Sequence, residues 1–241
     1  MPNPHDIASI CSSLVSLSTT EAGLEGVTML RLSHLSVKEY LMSGQVVKPF
    51  QKSFTEINAR GTVTRVCLAY LSHLDMKRPV AEIRNNFPLA RYSAQYWMEH
   101  ARHTETENDI QKSILNFFLR QKEAYTVWGS LFDPDQPWST QYVFRDMATP
   151  LYYASSAGLQ HTVQLLIEKH AKVNAQGGLY GSALQAASSR GHKGIVQLLL
   201  QKGADINLQG GMYSNALQAA CVQGHKEIIQ LLLAKEADLN I

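Results

Sequence analysis

Cysteine is scarce in this chain of 241 residues. Cys11, Cys67 and Cys221 lie far apart. An odd, scattered set excludes a disulfide framework and fits reduced thiols in an intracellular protein, so a cytoplasmic location is expected. No apolar run approaches the roughly 18 residues that suggest a membrane helix, and no membrane partner is expected. The start, Met-Pro-Asn-Pro-His-Asp, has no cationic segment followed by a long apolar stretch, so no secretory signal is visible. An excess of one charge is also missing. The net charge is +2, with 15 basic and 15 acidic residues before Thr149 and 7 and 5 from it onward. Neither half is a basic block, so the electrostatic footprint of a nucleic-acid binder is absent. There is no Gly-x-x-x-x-Gly-Lys-Ser/Thr phosphate loop and no Gly-x-Ser-x-Gly nucleophile elbow. The expectation is a chain without catalytic residues, cofactor or metal. With 45% apolar and 17% charged residues, it is too apolar to be largely disordered.

The chain does contain an internal repeat. Leu151, Leu184 and Leu217 are spaced by 33, as are Gly158, Gly191 and Gly224, and Asn174, Asn207 and Asn240. Ala183-Leu-Gln-Ala-Ala187 recurs as Ala216-Leu-Gln-Ala-Ala220, Gly191-His-Lys193 as Gly224-His-Lys226, and Leu198-Leu-Leu200 as Leu231-Leu-Leu233. In each unit a short helix of small residues ends at a glycine suited to a left-handed turn. A second helix follows, its stripe of Ile195, Val196, Leu198, Leu199 and Leu200 ending near Gly203. Ala204-Asp-Ile-Asn207 then leads to a turn at Gly210-Gly211. One unit cannot bury its leucine face alone, whereas stacked units can, which predicts a solenoid.

The period, the opening Thr149-Pro-Leu-Tyr152, and the segments 191–200 and 203–207 resemble the ankyrin repeat. The resemblance implies three repeats (149–181, 182–214 and an incomplete 215–241) and a protein partner. There are departures from the pattern. Tyr152, Gln185 and Gln218 stand where the family usually has histidine, and Ala183 and Ala216 replace its proline, so the hydrogen bonds of that turn must differ. Glu236 stands one period after Gly203, which predicts a looser end to the last helix.

The first 148 residues do not repeat. Residues 1–50 suggest a small winged-helix-like remnant. In it Val27–Leu32 reads as a strand, and Ser36-Val-Lys-Glu39 is a capping box opening a helix. Residues 51–148 read as a helical linker region. Val63, Val66, Cys67, Tyr70, Leu71 and Leu74 mark one helix face, Leu89, Tyr92, Tyr96 and Trp97 a second, and Ile110, Ile114, Phe117 and Phe118 a third. Asp133-Pro-Asp-Gln-Pro137 is a turn-rich break before the repeats. The expected fold class is therefore all-α: an ankyrin α-solenoid preceded by a helical region with a winged-helix-like remnant.

Several of these segments are similar to fungal NACHT–ankyrin proteins, signalling ATPases of the NOD-like receptor type. They are Leu32-Ser-His-Leu-Ser-Val-Lys-Glu-Tyr-Leu41, Ile10–Val15, Ala90–Ala101, Asp133-Pro-Asp135 with Pro137-Trp138, and the Gly-Gly-x-Tyr of 177–180 and 210–213. The resemblance implies a sensor-side piece of such a protein. Its ATPase activity does not carry over, because the phosphate loop is missing. The last repeat also stops before completion and before any polar cap, which leaves it open to self-association. An apolar flank of Ile228, Ile229 and Leu232 is expected there.

Candidate chemistry beyond recognition is thin. His100 and His103 share a helix face near Glu99 and Glu105, but helix-surface histidines without cysteine partners are ordinarily solvated. His34 with Cys11 has no third orienting group. A DNA-associated regulator using the N-terminal module is the alternative function. Residues 36–43, its recognition stretch, carry one lysine against one glutamate, so phosphate attraction would be feeble. Tyr92, Tyr96 and Trp97 fit core packing better than a ligand box. The partner-binding candidates are Tyr153, Ser156, Leu179, Tyr180, Ser189, Arg190, Met212, Tyr213, Val222 and Gln223, on the concave face and hairpin tips. Leu179-Tyr180 and Met212-Tyr213 are read equally as exposed anchors or as packing on the adjoining repeat.

Overall fold

The computed structural model describes residues 15–20, 27–32, 55–75, 78–136, 147–235 and 237. Contacts divide the chain into residues 1–59 and 60–241. In the first unit, β1 (Val15–Thr20) pairs antiparallel with β2 (Val27–Leu32), in register from Val15 opposite Leu32 to Thr20 opposite Val27. The strand expected at 27–32 is present. Its partner was not anticipated, although Val15-Ser-Leu-Ser alternates as a strand should. The Ser36–Glu39 capping box, Cys11 and His34 lie outside the described residues.

Every other regular element among the described residues is helical. α1 (Glu56–Ser72), α2 (Val80–Asn86), α3 (Ala90–Ala101), α4 (Asn108–Arg120) and α5 (Lys122–Leu131) precede the repeats. The α4 stripe of Ile110, Ile114, Phe117 and Phe118 is buried as its spacing predicts. Two other faces are rotated from the expected ones. α1 buries Gly61, Thr64, Cys67, Leu68 and Leu71, while Val66 is 46% exposed. The reason is close approach: a Cβ at position 61 would stand 2.7 Å from Ile110 Cδ1, so the small residues face inward. α3 likewise turns Ala90, Ser93, Ala94, Trp97 and Ala101 inward, and leaves Leu89 and Tyr92 exposed. Tyr92 rests on Tyr96 with ring centroids 5.0 Å apart. Trp97 alone of that expected cluster is core, edge-on to Phe117, Phe118 and Trp128. Trp128 Nε1 donates to Ala94 O at 2.8 Å, satisfying the polar edge of a fully buried ring.

From residue 149 the helices come in pairs: α6 (Pro150–Ala157) with α7 (Gln160–Glu168), α8 (Ala183–Ser189) with α9 (Lys193–Gln201), and α10 (Ala216–Val222) with α11 (Lys226–Leu233). Each inner helix starts on a small polar residue whose side chain takes a free N–H. Thr149 accepts from Tyr152 N, Ser182 from Gln185 N and Asn215 from Gln218 N. Gly158 and Gly191 end the first two inner helices at φ 79°, a left-handed turn that a side chain would strain. α8 packs between α6 and α10, and α9 between α7 and α11, so the leucine faces close on one another. Ile195, Val196 and Leu199 are buried in the middle pair, and Val163 and Leu166 in the pair before it.

The last pair departs from expectation. Of the three residues expected to form the apolar flank, Ile228 and Leu232 are buried and Ile229 is half-buried at the margin of the core. Leu233 is 42% exposed and Val222 65% exposed. Glu236 lies outside the described residues.

The turn network takes the altered form that the missing histidines required. Gln185 Nε2 reaches the next hairpin and donates to Gly210 O at 2.7 Å and Ser214 O at 2.9 Å. Histidine appears in a different place, ahead of the outer helices. His192 bonds Ser156 O at 3.1 Å and His225 bonds Ser189 O at 3.0 Å, so each ties one repeat to the one before it. Asn174 also joins the first repeat to the second, donating to Gly203 O and accepting from Asp205 N.

Candidate protein-interaction surface

The helices before residue 137 pack on the first repeat through buried polar contacts. Glu105 is 6% exposed. Its carboxylate accepts from His161 N at 3.0 Å, Thr162 N at 2.9 Å and Thr162 Oγ1 at 2.7 Å. That places an anion on the free N–H groups that open α7, where the helix dipole favours it. Arg102 donates to Ala157 O at the other end of the pair, from both Nε and Nη2. Glu105 is thereby committed as a cap and is turned away from a metal-ligand role. His100 Nε2 lies 3.0 Å from Tyr92 Oη. Burial holds the His100 imidazole below its ordinary range, so it stays neutral near pH 7.

The Asp133–Pro137 break is also more than a turn. Asp135 is buried, and its carboxylate accepts from Tyr152 Oη at 2.9 Å and from Leu179 N at 2.8 Å. Tyr152 Oη in turn accepts from Tyr180 N at 3.1 Å. The tyrosine that replaces the expected histidine therefore pins the hairpin at 177–181. Burial pushes the Asp135 carboxyl above the usual carboxylate range; the Leu179 and Tyr152 hydrogen bonds oppose this but are outweighed.

On this support the ten candidate residues separate. Tyr153, Ser156, Tyr180 and Ser189 are buried. Tyr153 sits edge-on to Trp128 at 5.0 Å between centroids and belongs to the joint with α5. Small inner-helix residues bring neighbouring helices close enough to enclose Ser156 and Ser189, whose carbonyls receive the histidine bonds described above. The remaining six, Leu179, Arg190, Met212, Tyr213, Val222 and Gln223, are exposed or half-buried.

Four of the ten form one continuous ridge. The Arg190 guanidinium lies over the Tyr180 ring, 5.5 Å from its centroid. Tyr180 stacks on Tyr213 with centroids 6.0 Å apart and planes 12° apart. Tyr213 Oη accepts from Gln223 Nε2 at 2.9 Å. The two tyrosines thus pack on one another across adjoining repeats, buried Tyr180 supporting half-buried Tyr213, while Arg190 and Gln223 at either end are exposed. Met212, 58% exposed, immediately precedes Tyr213 in sequence, and Val222 precedes Gln223. Residues already fixed by stacking and hydrogen bonding lose little further freedom when a partner binds. The sequence reading missed Asp135, Glu105 and Arg102. Their partners lie 17 to 57 residues away, as in Tyr152 Oη to Asp135 and Thr162 N to Glu105, and no local spacing encodes such pairs.

A family model described as ankyrin repeats (3 copies) matches residues 123–210 and again 180–241. The first match includes α5, upstream of the expected start at Thr149. A curated protein of Monascus ruber, the "Azaphilone pigments biosynthesis cluster protein L", is 34% identical over 200 residues, covering 76% of this chain and 42% of its own length. The chain therefore spans well under half of that relative. Among the described residues no helix is long and apolar enough to cross a membrane, and no group of three or more His, Cys, Asp or Glu side chains could hold a metal ion. The paired helices, the 33-residue register and the family match agree: the C-terminal half of this chain is an array of ankyrin repeats.

Proposed function

We propose that this chain is a protein–protein interaction module whose binding face is the ridge of Arg190, Tyr213 and Gln223, held from beneath by buried Tyr180, with Met212 and Val222 beside it in sequence. The observation that carries the reading is an aromatic stack joined to Arg190 and Gln223, with two exposed apolar residues next to its members in sequence. Aromatic and arginine side chains held in place are the usual anchors of protein interfaces. The order of similar segments along residues 10–213 supports a sensor-side position in a signalling protein of the NACHT–ankyrin type. The test of that position is the coding sequence upstream of Met1, where an exon encoding a phosphate loop is expected. The interaction reading is tested by partner capture with the native chain against a Met212→Asp, Val222→Asp double variant, which should lose the partner while keeping its melting temperature. Salt-sensitive binding to duplex DNA that ignores the double variant would overturn it in favour of a DNA-associated role. A weaker self-contact through exposed Val222 and Leu233 of the last repeat accompanies this reading. Sedimentation that stays monomeric to millimolar concentration removes it.

A further inference from the structure

We propose a second docking site, away from the ridge: the groove between α4 and the end of α7 receives a short acidic peptide segment of another protein. The groove encloses about 600 Å³ and is lined by Lys112, Leu115, Asn116, Leu119, Arg120 and Lys169. The five α4 residues recur at i, i+3, i+4, i+7 and i+8, one stripe of the helix, opposite the buried stripe of Ile110, Ile114, Phe117 and Phe118. The stripe is not a plain solvated face. Leu119 is 46% exposed, and Leu115 is half-buried at the margin of the core, so the floor is apolar.

The three cations are exposed, and among the described residues their side chains have no ion pair or hydrogen bond. Among the described residues no carboxylate lines the groove. Asp109, the acidic residue of α4, is engaged by Arg65. Helix dipoles account for part of the pattern. Arg120 is in the last turn of α4 and Lys169 caps the end of α7, where cations are favoured. They do not account for Lys112, which sits in the second turn of α4 near its positive end. The corresponding groove between α9 and α11 is lined by Gln197, Leu200, Gln201, Ala204, Ile206, Leu231 and one cation, Lys235, so a basic lining is not general to the outer helices.

The lining selects a peptide over other anionic partners. Among the described residues the lining has no aromatic side chain on which a base could stack, and three charges give only a weak counterion-release drive toward a phosphate backbone. Lys112 and Arg120 are eight residues apart, about 12 Å along the helix, with the leucines between them. An extended peptide covers that distance in about four residues. Acidic side chains four positions apart, flanking one or two leucine-sized ones, match both the charges and the floor.

The probe is a fluorescein-labelled peptide with two leucines flanked on each side by a pair of glutamates, titrated with the full chain and followed by anisotropy. The reference peptide has lysines in place of the glutamates. Because exposed pairs are individually modest, the triple variant Lys112→Glu, Arg120→Glu, Lys169→Glu is used, and binding is expected to weaken by about 10- to 100-fold and to fall with added salt. Leu119→Ser should weaken it as well, which a purely ionic attraction would not show. The Met212→Asp, Val222→Asp double variant should bind the probe normally, so failure here and failure of the ridge are distinguishable. Absence of binding at millimolar chain, equal binding of the lysine peptide, or retention of affinity by a triple variant with native circular dichroism would each overturn the proposal. Tighter binding of single-stranded RNA or of phosphatidylserine vesicles to the same groove would overturn it in favour of that partner class.

Discussion

Replacing Glu105 by alanine should uncouple the helical region from the first repeat. The carboxylate satisfies three donors at the start of α7, two backbone N–H groups and one hydroxyl, in a place almost closed to water. A buried donor left without a partner costs about 1–3 kcal/mol, and loss of a helix cap about 1 kcal/mol. The Thr162 hydroxyl can rotate to another acceptor, and water can enter the space left by the side chain, so the low end applies: about 3 kcal/mol in all. For a unit of this size 1 kcal/mol corresponds to roughly 2–4 °C, giving a fall of about 6–12 °C in melting temperature. Glu105→Gln keeps one acceptor oxygen and should lose about half as much. Urea melts followed by circular dichroism measure the total. Hydrogen exchange locates it, with the amides of His161 and Thr162 losing protection first and those of α9 later. A loss under 1 kcal/mol, or equal deprotection of α7 and α9, would refute the view that Glu105 locks the two regions together.

Three further outcomes follow from the same geometry. Leu199→Ala, at a fully buried site in the middle repeat, should cost about 2–5 kcal/mol in a urea melt, because neighbours on both sides hinder collapse of the cavity. Tyr152→Phe removes the donor to Asp135 and the acceptor for Tyr180 N. It should cost about 2–3 kcal/mol and release the 177–181 hairpin to limited proteolysis. Burial, aided by Arg102, Arg190 and His225, holds the His192 imidazole below its ordinary range. The unfolded chain then binds the proton more readily, so the stability that depends on neutral His192 is full above about pH 6.5. It is lost as pH falls through the lowered folded value, and His192→Gln should flatten melting temperature against pH between 5 and 7.

The repeats were legible because each carries its own local signals, namely leucines at 151, 184 and 217, glycines at 158, 191 and 224, and an apolar stripe after each glycine. The α4 face was legible for the same reason, since large apolar residues mark its buried side. The faces of α1 and α3 were not. There Gly61, Ala90, Ser93 and Ala94 are buried so that backbones can approach, and the larger side chains are displaced outward. Periodicity of hydrophobicity reads the wrong stripe wherever small residues form the contact. The candidate surface was half legible. Spacing found the hairpin tips, but whether Tyr180 or Tyr153 faces solvent depends on contacts with Tyr213 and Trp128, in another repeat and another helix. The supporting carboxylates Glu105 and Asp135 carry no pattern at all, because their roles exist only once distant segments meet.

The proposed ridge contact is tested most directly with a photo-crosslinking residue at Val222 and, in a second sample, at exposed Gln197 on the outer helix α9, away from both the ridge and the basic groove, followed by irradiation in extract of the native cell. One discrete adduct is expected from position 222, lost when Arg190→Glu is added to the same chain, and none from position 197. Adducts of equal yield from both positions, or an adduct at 222 that survives Arg190→Glu, would contradict it.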